Sequence, residues 1–235
     1  MSGVRCSGQD AAGEVGRAVV LLSGGMDSAT LLWYVKKELR VPEIHALSFA
    51  YGQRHARELE MARWQARTAG VAVHREVDIS WFGELLAGAS VLTDASRTVP
   101  SLDELSAEER RQPATYVPNR NMIFLSIAAA YAEARGMTDI FYGAQAQDEY
   151  GYWDCTVDFI EGINHLLGLN RGRAVTVHAP FAGKSKAQVL ELGIELGVDY
   201  EHTWTCYRGD AEACGSCPSC VERQRAFEEL EGRGQ

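Results

Sequence analysis

"LLSGGMDSAT", residues 21–30, follows an apolar run from Ala18 to Leu22 and leads into another that begins at Ala29. A short run of β-branched residues and leucine bounded by glycine predicts a buried strand, and the helical spacing of apolar residues from Ser28 to Arg40 predicts a helix. The stretch is therefore a strand-to-helix turn. Gly24 and Gly25 let the backbone approach a ligand closely, and the free N–H groups of the helix's first turn face whatever sits there. Phosphate is the natural occupant. Neither G-x-x-x-x-G-K-[ST] nor G-x-G-x-x-G is present, so the loop holds its anion without a lysine of its own.

At 235 residues the chain suits one sizeable α/β domain with a small appendage. The expected division is a flexible tail over 1–16, a nucleotide-binding domain over 17–200 and a cysteine-rich segment over 201–235. A net charge of −9 and the lack of a clustered basic face argue against an extensive nucleic-acid footprint. No apolar stretch is long enough to span a bilayer, and "MSGVRCSGQDAAGEVG" has no apolar core of a signal peptide, which leads to the expectation of a cytoplasmic protein.

Strand-like and helix-like runs alternate. Strands are predicted over 18–22, 44–51 and 71–79, and helices over 28–40 and 54–69. Such alternation predicts parallel strands joined by crossovers. From Leu92 to Pro118 a polar stretch with three prolines reads as a long loop or lid over the strand ends. Order resumes with a helix over 121–135, a strand over 139–144, a helix over 157–169, a strand over 174–180 and a helix over 185–196.

Four of the six cysteines, Cys206, Cys214, Cys217 and Cys220, crowd the string "CYRGDAEACGSCPSC". Overlapping C-x-x-C steps with Gly and Pro between them let thiolates converge on zinc, and in a reducing compartment this outweighs a disulfide framework. A redox-active pair would need to sit near a βαβ start, which these do not. Four sulfurs leave no open coordination position, so the zinc is structural. Affinities of roughly 10–16 kcal/mol for small zinc sites make it a strong clamp on the tail.

Three further strings lie at predicted strand ends or before helices: "YGQRH" (51–55), "YVPNRN" (116–121) and "GAQAQDEYGYWDC" (143–155). Singly, each reads as a solvated helix start, a pair of caps or a core edge. Together with S-G-G-x-D-S they form an ordered set. That signature resembles the pyrophosphate loop of the ATP pyrophosphatases, which split ATP between its α and β phosphates and transfer AMP to a substrate oxygen. Within that group "LSFAYGQRHARELE", "TYVPNRNMIFLS", "DEYGYWDC", "HAPFAGKSK" and "LGVDYEHTWTCY" followed by "CGSCPSC" resemble the 7-cyano-7-deazaguanine synthase family, QueC, from about Ala18 to Phe227.

The resemblance implies an α/β fold, a doubly wound parallel sheet of the adenine nucleotide alpha hydrolase-like kind, with a small C-terminal zinc-binding segment. It implies that 7-carboxy-7-deazaguanine, two ATP and ammonia become the nitrile, with ATP, Mg²⁺ and Zn²⁺ as cofactors and a homodimer as the assembly. Adenylation fits the chemistry, because a carboxylate accepts an amine only after its oxygen becomes a good leaving group. Leu22, Ser23, Gly24, Gly25, Met26, Asp27 and Ser28 would then hold the pyrophosphate, with Asp27 on Mg²⁺ or fixing the loop. Arg120 and Lys186 would supply the positive charge the loop lacks. Arg54 and His55 would hold the AMP half, with His55 a candidate proton carrier. The paired N–H donors of a deazaguanine suit one carboxylate, assigned to Asp148 with Glu149 and Asp154 as alternatives, and Tyr152 or Trp153 would stack on the ring.

The family pattern at this loop is close to N-A-x-D-Y-S-G-Y-P-D-C-R, whereas this chain reads "QAQDEYGYWDCT". Gln145, Glu149, Tyr150, Trp153 and Thr156 depart from it, and Asn119 stands where glycine is usual. All lie where substrate or amine would sit. They motivate a second expectation, a paralog that passes the activated carboxylate to another amine, on a protein or other macromolecule, and stops at the amide. A tRNA-modifying thiolase would need a basic RNA-binding face and a cysteine pair near the ATP site, and a zinc-clamped adaptor without catalysis would not need an intact "SGGMDS".

Overall fold

The computed structural model describes residues 15–54, 57–106, 108–109, 113–145 and 152–233. Five strands form one sheet: β1 (Arg17–Leu21), β2 (Glu43–Ala50), β3 (Val73–Asp78), β4 (Asp139–Phe141) and β5 (Thr176–His178). Their order is β3-β2-β1-β4-β5 and every pairing is parallel. Both faces are covered, which is why β1 is apolar at consecutive positions. Ala18 and Val20 point into one core with α1 (Met26–Trp33), α2 (Arg57–Ala69), α6 (Lys186–Glu195) and α7 (Pro218–Arg233). Val19 and Leu21 point into the other with α3 (Ser80–Leu85), α4 (Arg120–Ala134) and α5 (Val157–Leu167).

This topology positions the site. From β1 the chain moves outward to β2 and β3, then returns to place β4 on the opposite side of β1. Connections leave β1 and β4 toward opposite faces, so a crevice opens at their carboxyl ends, where open α/β sheets bind ligands.

Local boundaries differ from the sequence reading for physical reasons. The first helix begins at Met26, and beyond Trp33 its last turn widens to a π-helix over Tyr34–Glu38. A left-handed Arg40 (φ 54°) follows. The helix α3 was not anticipated, since six residues are too few to show a period. Neither was α7, whose apolar positions are sparse; Ala226, Phe227 and Leu230 nevertheless join the core shared with α1 and α6. The described part of the lid carries one short 3₁₀ turn, Leu102–Glu104. Among the described residues no helix is long and apolar enough to cross a membrane.

A buried polar tie joins α1 to the segment after α6: Thr30 Oγ1 lies 2.7 Å from the Tyr200 hydroxyl and donates to the Met26 carbonyl at 3.0 Å. Gly193 makes room for it, because a Cβ there would lie 2.8 Å from Thr30 Oγ1. Tyr200→Phe is expected to cost about 1 kcal/mol. Urea unfolding should show a lower midpoint with an unchanged slope.

Candidate active site

The β1–α1 turn is folded on itself by two serines. Ser28 Oγ accepts from the amides of Ser23 and Gly24, both at 3.2 Å, and donates to the Gly25 carbonyl at 3.0 Å. With its own proton so committed, Ser28 must accept from the Ser23 hydroxyl 3.0 Å away, and Ser23 Oγ in turn accepts from the Gly25 amide at 3.2 Å. Leu22 and Met26, each 1% exposed, anchor the two ends in the core. Gly24 is left-handed (φ +89°), and a Cβ there would run into the Glu58 carbonyl and come within 2.7 Å of the Ala62 amide nitrogen. Glycine is required by both the torsion and the approach of α2. On its other side the Gly24 carbonyl accepts the Trp204 amide at 3.0 Å.

Asp27 sits in the first turn of α1, and its Oδ2 accepts from Lys186 Nζ at 2.8 Å. Lys186 opens α6, whose capping box is formed by Ser185 and Gln188. The cation expected to face the phosphates is thus tied to the loop by its aspartate. Asp27 Oδ1 is buried with no hydrogen-bond partner. A hard cation such as Mg²⁺ suits an oxygen of this kind.

Around the crevice mouth lies a cavity of about 250 Å³ that takes in Ser23, Gly25, Met26, Asp27, Ser28 and Arg54. Arg120, first residue of α4, adds its guanidinium, which donates to the Tyr51 hydroxyl at 3.3 Å and lies over the Tyr51 ring. Arg54 lines the same space, but its guanidinium donates to the carbonyls of Asp94 and Arg97 and its amide to the Leu92 carbonyl at 3.1 Å, so it holds the lid's backbone.

The acids and aromatics proposed for the ring spread out. Asp154 is 2% exposed; burial pushes its carboxyl up against the pull of Arg120, and its Oδ1 has no partner. Tyr152 bonds to Thr115 Oγ1 at 2.6 Å and packs against Leu102 and Leu105, with burial pushing its phenol up to about 12. Trp153 is 46% exposed, donates to the Tyr116 hydroxyl at 2.7 Å and meets the Phe159 ring edge-on. His55, Asp148 and Glu149 lie outside the described residues. Two departures from the family pattern have structural reasons. Asn119 is left-handed (φ 55°), a conformation asparagine tolerates in place of glycine, and Thr156 caps α5 by accepting from the Phe159 amide at 3.2 Å.

Beyond Trp204 the four sulfurs of Cys206, Cys214, Cys217 and Cys220 lie within 4.8 Å of one another. Amides point at them: Cys217 N–H donates to Cys214 Sγ at 3.3 Å and Cys214 N–H to Cys206 Sγ at 3.5 Å. The Cys220 thiol hydrogen-bonded to Cys217 holds Cys217 down at about 5. Burial pushes the Cys206 thiol up, and the hydrogen bond to Cys217 does the same to Cys220; it is the convergence of four sulfurs, with amides aimed at two of them, that fits a tetrahedral zinc. The cluster is also sewn to the lid, since Val91 and Val99 pack against Cys206 and Cys217, and the Leu102 amide donates to the Ser216 carbonyl at 3.0 Å.

The family model described as queuosine biosynthesis protein QueC matches residues 17–231. The chain belongs to the QueC family. A 7-cyano-7-deazaguanine synthase from Clostridium kluyveri is 45% identical over 222 residues, covering 91% of this chain and 93% of the relative. Another, 7-cyano-7-deazaguanine synthase 1 from Colwellia psychrerythraea, is 43% identical over 213 residues, covering 91% and 94%. Among solved structures, NMN synthetase from Francisella tularensis shares the fold, with a TM-score of 0.51 at 17% identity over 93% of this chain and 77% of the other.

Glu58, Asn121, Tyr142, Trp204, Thr205, Tyr207 and Ser219 line the QueC cavity without an expected role there, whereas Cys155, expected close to the ATP site as a small buried residue, lines it half-buried. Glu58 lies within "LSFAYGQRHARELE", and its place in the first turn of α2 was the available signal. Trp204, Thr205 and Tyr207 flank the first cysteine and read as part of the tail. A side chain at Gly24 would be strained in torsion and pressed against α2. Gly24→Ala should destabilise the fold by about 1–3 kcal/mol, while Gly25→Ala, whose Cβ would meet only Ser23 Oγ at 3.3 Å and the Trp204 carbonyl at 3.6 Å, should unfold in urea close to wild type.

Proposed function

We propose that this QueC-family enzyme adenylates 7-carboxy-7-deazaguanine with ATP, replaces AMP by ammonia to give the amide, and activates and dehydrates that amide with a second ATP to give 7-cyano-7-deazaguanine. The observation that carries the reading is the β1–α1 turn: a glycine turn at a helix N-terminus beside an aspartate with one oxygen on Lys186 and the other buried without a partner. The α1 N-terminus favours the charge that builds on departing pyrophosphate. Ser23 and the first-turn amides bind that leaving half. Lys186, held by Asp27, supplies positive charge to the loop, and Arg120 in the cavity lining is suitably placed for the acyl-phosphate. Asp27 would hold Mg²⁺ through Oδ1, and the cation when bound would neutralise phosphate charge.

The base pocket is assigned to the segment after β4, with Asp148, Glu149 or Asp154 accepting the paired N–H donors and Tyr152 or Trp153 against the ring. The homodimer implied by the family resemblance belongs to the same proposal. Incubation of the protein with ATP, 7-carboxy-7-deazaguanine and ammonia, followed by mass analysis, should show the nitrile with AMP and pyrophosphate. Asp27→Ala should abolish AMP release. An amide that accumulates only on a protein amine would replace this reading with transfer to a macromolecular acceptor, and no AMP from the wild type would end it.

The cysteine cluster is proposed to hold a structural zinc. Elemental analysis of protein prepared without chelator should find about one zinc per chain. Removing it with a chelator should lower the thermal midpoint and, because Trp204 bonds to Gly24, weaken pyrophosphate binding as well. Metal-free protein with unchanged stability would overturn the assignment.

A further inference from the structure

One carboxyl of the cavity has no part in the scheme so far. Glu58 stands in the first turn of α2, whose backbone is pressed against Gly24, and its half-buried side chain lines the same cavity as Ser23, Asp27 and Arg120. Among the described residues no hydrogen bond or ion pair holds its carboxyl. The other acids near the site are already engaged: Asp27 by Lys186, and Asp154 by the Arg120 and Asn121 side of the pocket.

We propose that Glu58 is the base that takes the proton from the attacking nitrogen when ammonia displaces AMP. The inference rests on the adenylation reading above. The nitrogen lone pair forms the C–N bond to the acyl carbon. The C–O bond to AMP breaks, its electron pair leaving on the AMP phosphate, and one N–H proton passes to the Glu58 carboxylate. The product is the neutral amide, and the proton returns to water when the cavity opens.

The surroundings suit that role. Facing Glu58 across the cavity are Asp27 from the loop, Tyr51 and Arg54 from the end of β2, Arg120 from α4, Tyr142 and Cys155 from the β4 side and Tyr207 from the tail. Burial raises the phenols of Tyr51 and Tyr142, so they stay neutral near pH 7. Burial also lifts the Glu58 carboxyl from near 4.5 to about 7, with Arg120 pulling the other way. A base is strongest as a catalyst when its pKa lies near the working pH. The carboxylate form is the active one, so aminolysis should rise as pH passes upward through about 7.

The experiment separates the two halves of the reaction. Pyrophosphate exchange into ATP, dependent on 7-carboxy-7-deazaguanine, reads adenylation. Single-turnover aminolysis by methoxyamine, whose conjugate acid loses its proton well below this pH range, reads the second half without the titration of ammonium. Glu58→Gln is expected to keep exchange within about threefold while aminolysis falls on the order of 10²–10⁴-fold and its rise near pH 7 flattens. Glu58→Asp, which keeps the carboxyl, should retain the rise with a smaller loss of rate, and covers the case in which Glu58→Gln does not fold. Unchanged aminolysis in Glu58→Gln, an equal fall of both halves, or loss of the rise in Glu58→Asp would overturn the proposal. So would a His55→Gln variant that loses the rise while Glu58→Gln keeps it. No exchange in the wild type would instead overturn the adenylation reading, and the base with it.

Discussion

Gly24 ties the nucleotide loop to two other parts of the chain. Its left-handed torsion turns the chain out of β1, its missing side chain admits the backbone of α2, and its carbonyl receives the Trp204 amide. Three segments far apart in sequence therefore meet on one residue. The turn cannot shift without moving α2, which carries Glu58, or the segment that runs into Cys206. Rigid placement of donors is what makes such a turn useful, because groups already aimed at developing charge need no reorganisation during the reaction.

Electrostatics around the turn are balanced by pairs drawn from different elements. A lysine at a helix N-terminus is poorly placed with respect to the helix dipole, and an unpaired aspartate beside phosphates repels them. Lys186 and Asp27 correct each other at 2.8 Å. The pair leaves one carboxylate oxygen buried without a partner, the kind of unsatisfied group that a bound cation relieves. Arg120 works differently: it rests over the Tyr51 and Phe124 rings, which restrict its side chain without taking its charge.

Lid, cysteine cluster and nucleotide loop form one mechanical unit. Arg54 holds the lid's carbonyls, Val91 and Val99 pack on the cysteines, and Trp204 leads from the cluster back to Gly24. A metal at the four sulfurs would therefore stabilise more than the tail. It would fix one wall of the cavity, where Trp204, Thr205, Tyr207 and Ser219 lie.

Much of this was legible in the residues themselves. The strand-turn-helix at 21–30, the parallel α/β class, the converging cysteines and the family all follow from local pattern, because period, glycine torsion and ligand spacing act over a few residues at a time. The short helix α3, the helix α7 and the attachment of the lid were not, because six residues show no period and the other two rest on contacts with segments distant in sequence, such as Leu102 with Ser216. The same holds for the site. Asp27 announced itself by motif, but its pairing with Lys186, separated by 159 residues, is a product of packing. Glu58 shows the limit most clearly. Its sequence context is that of an ordinary first-turn acid, and only the closing of a cavity around it, which withdraws water and disfavours its charge, sets it apart.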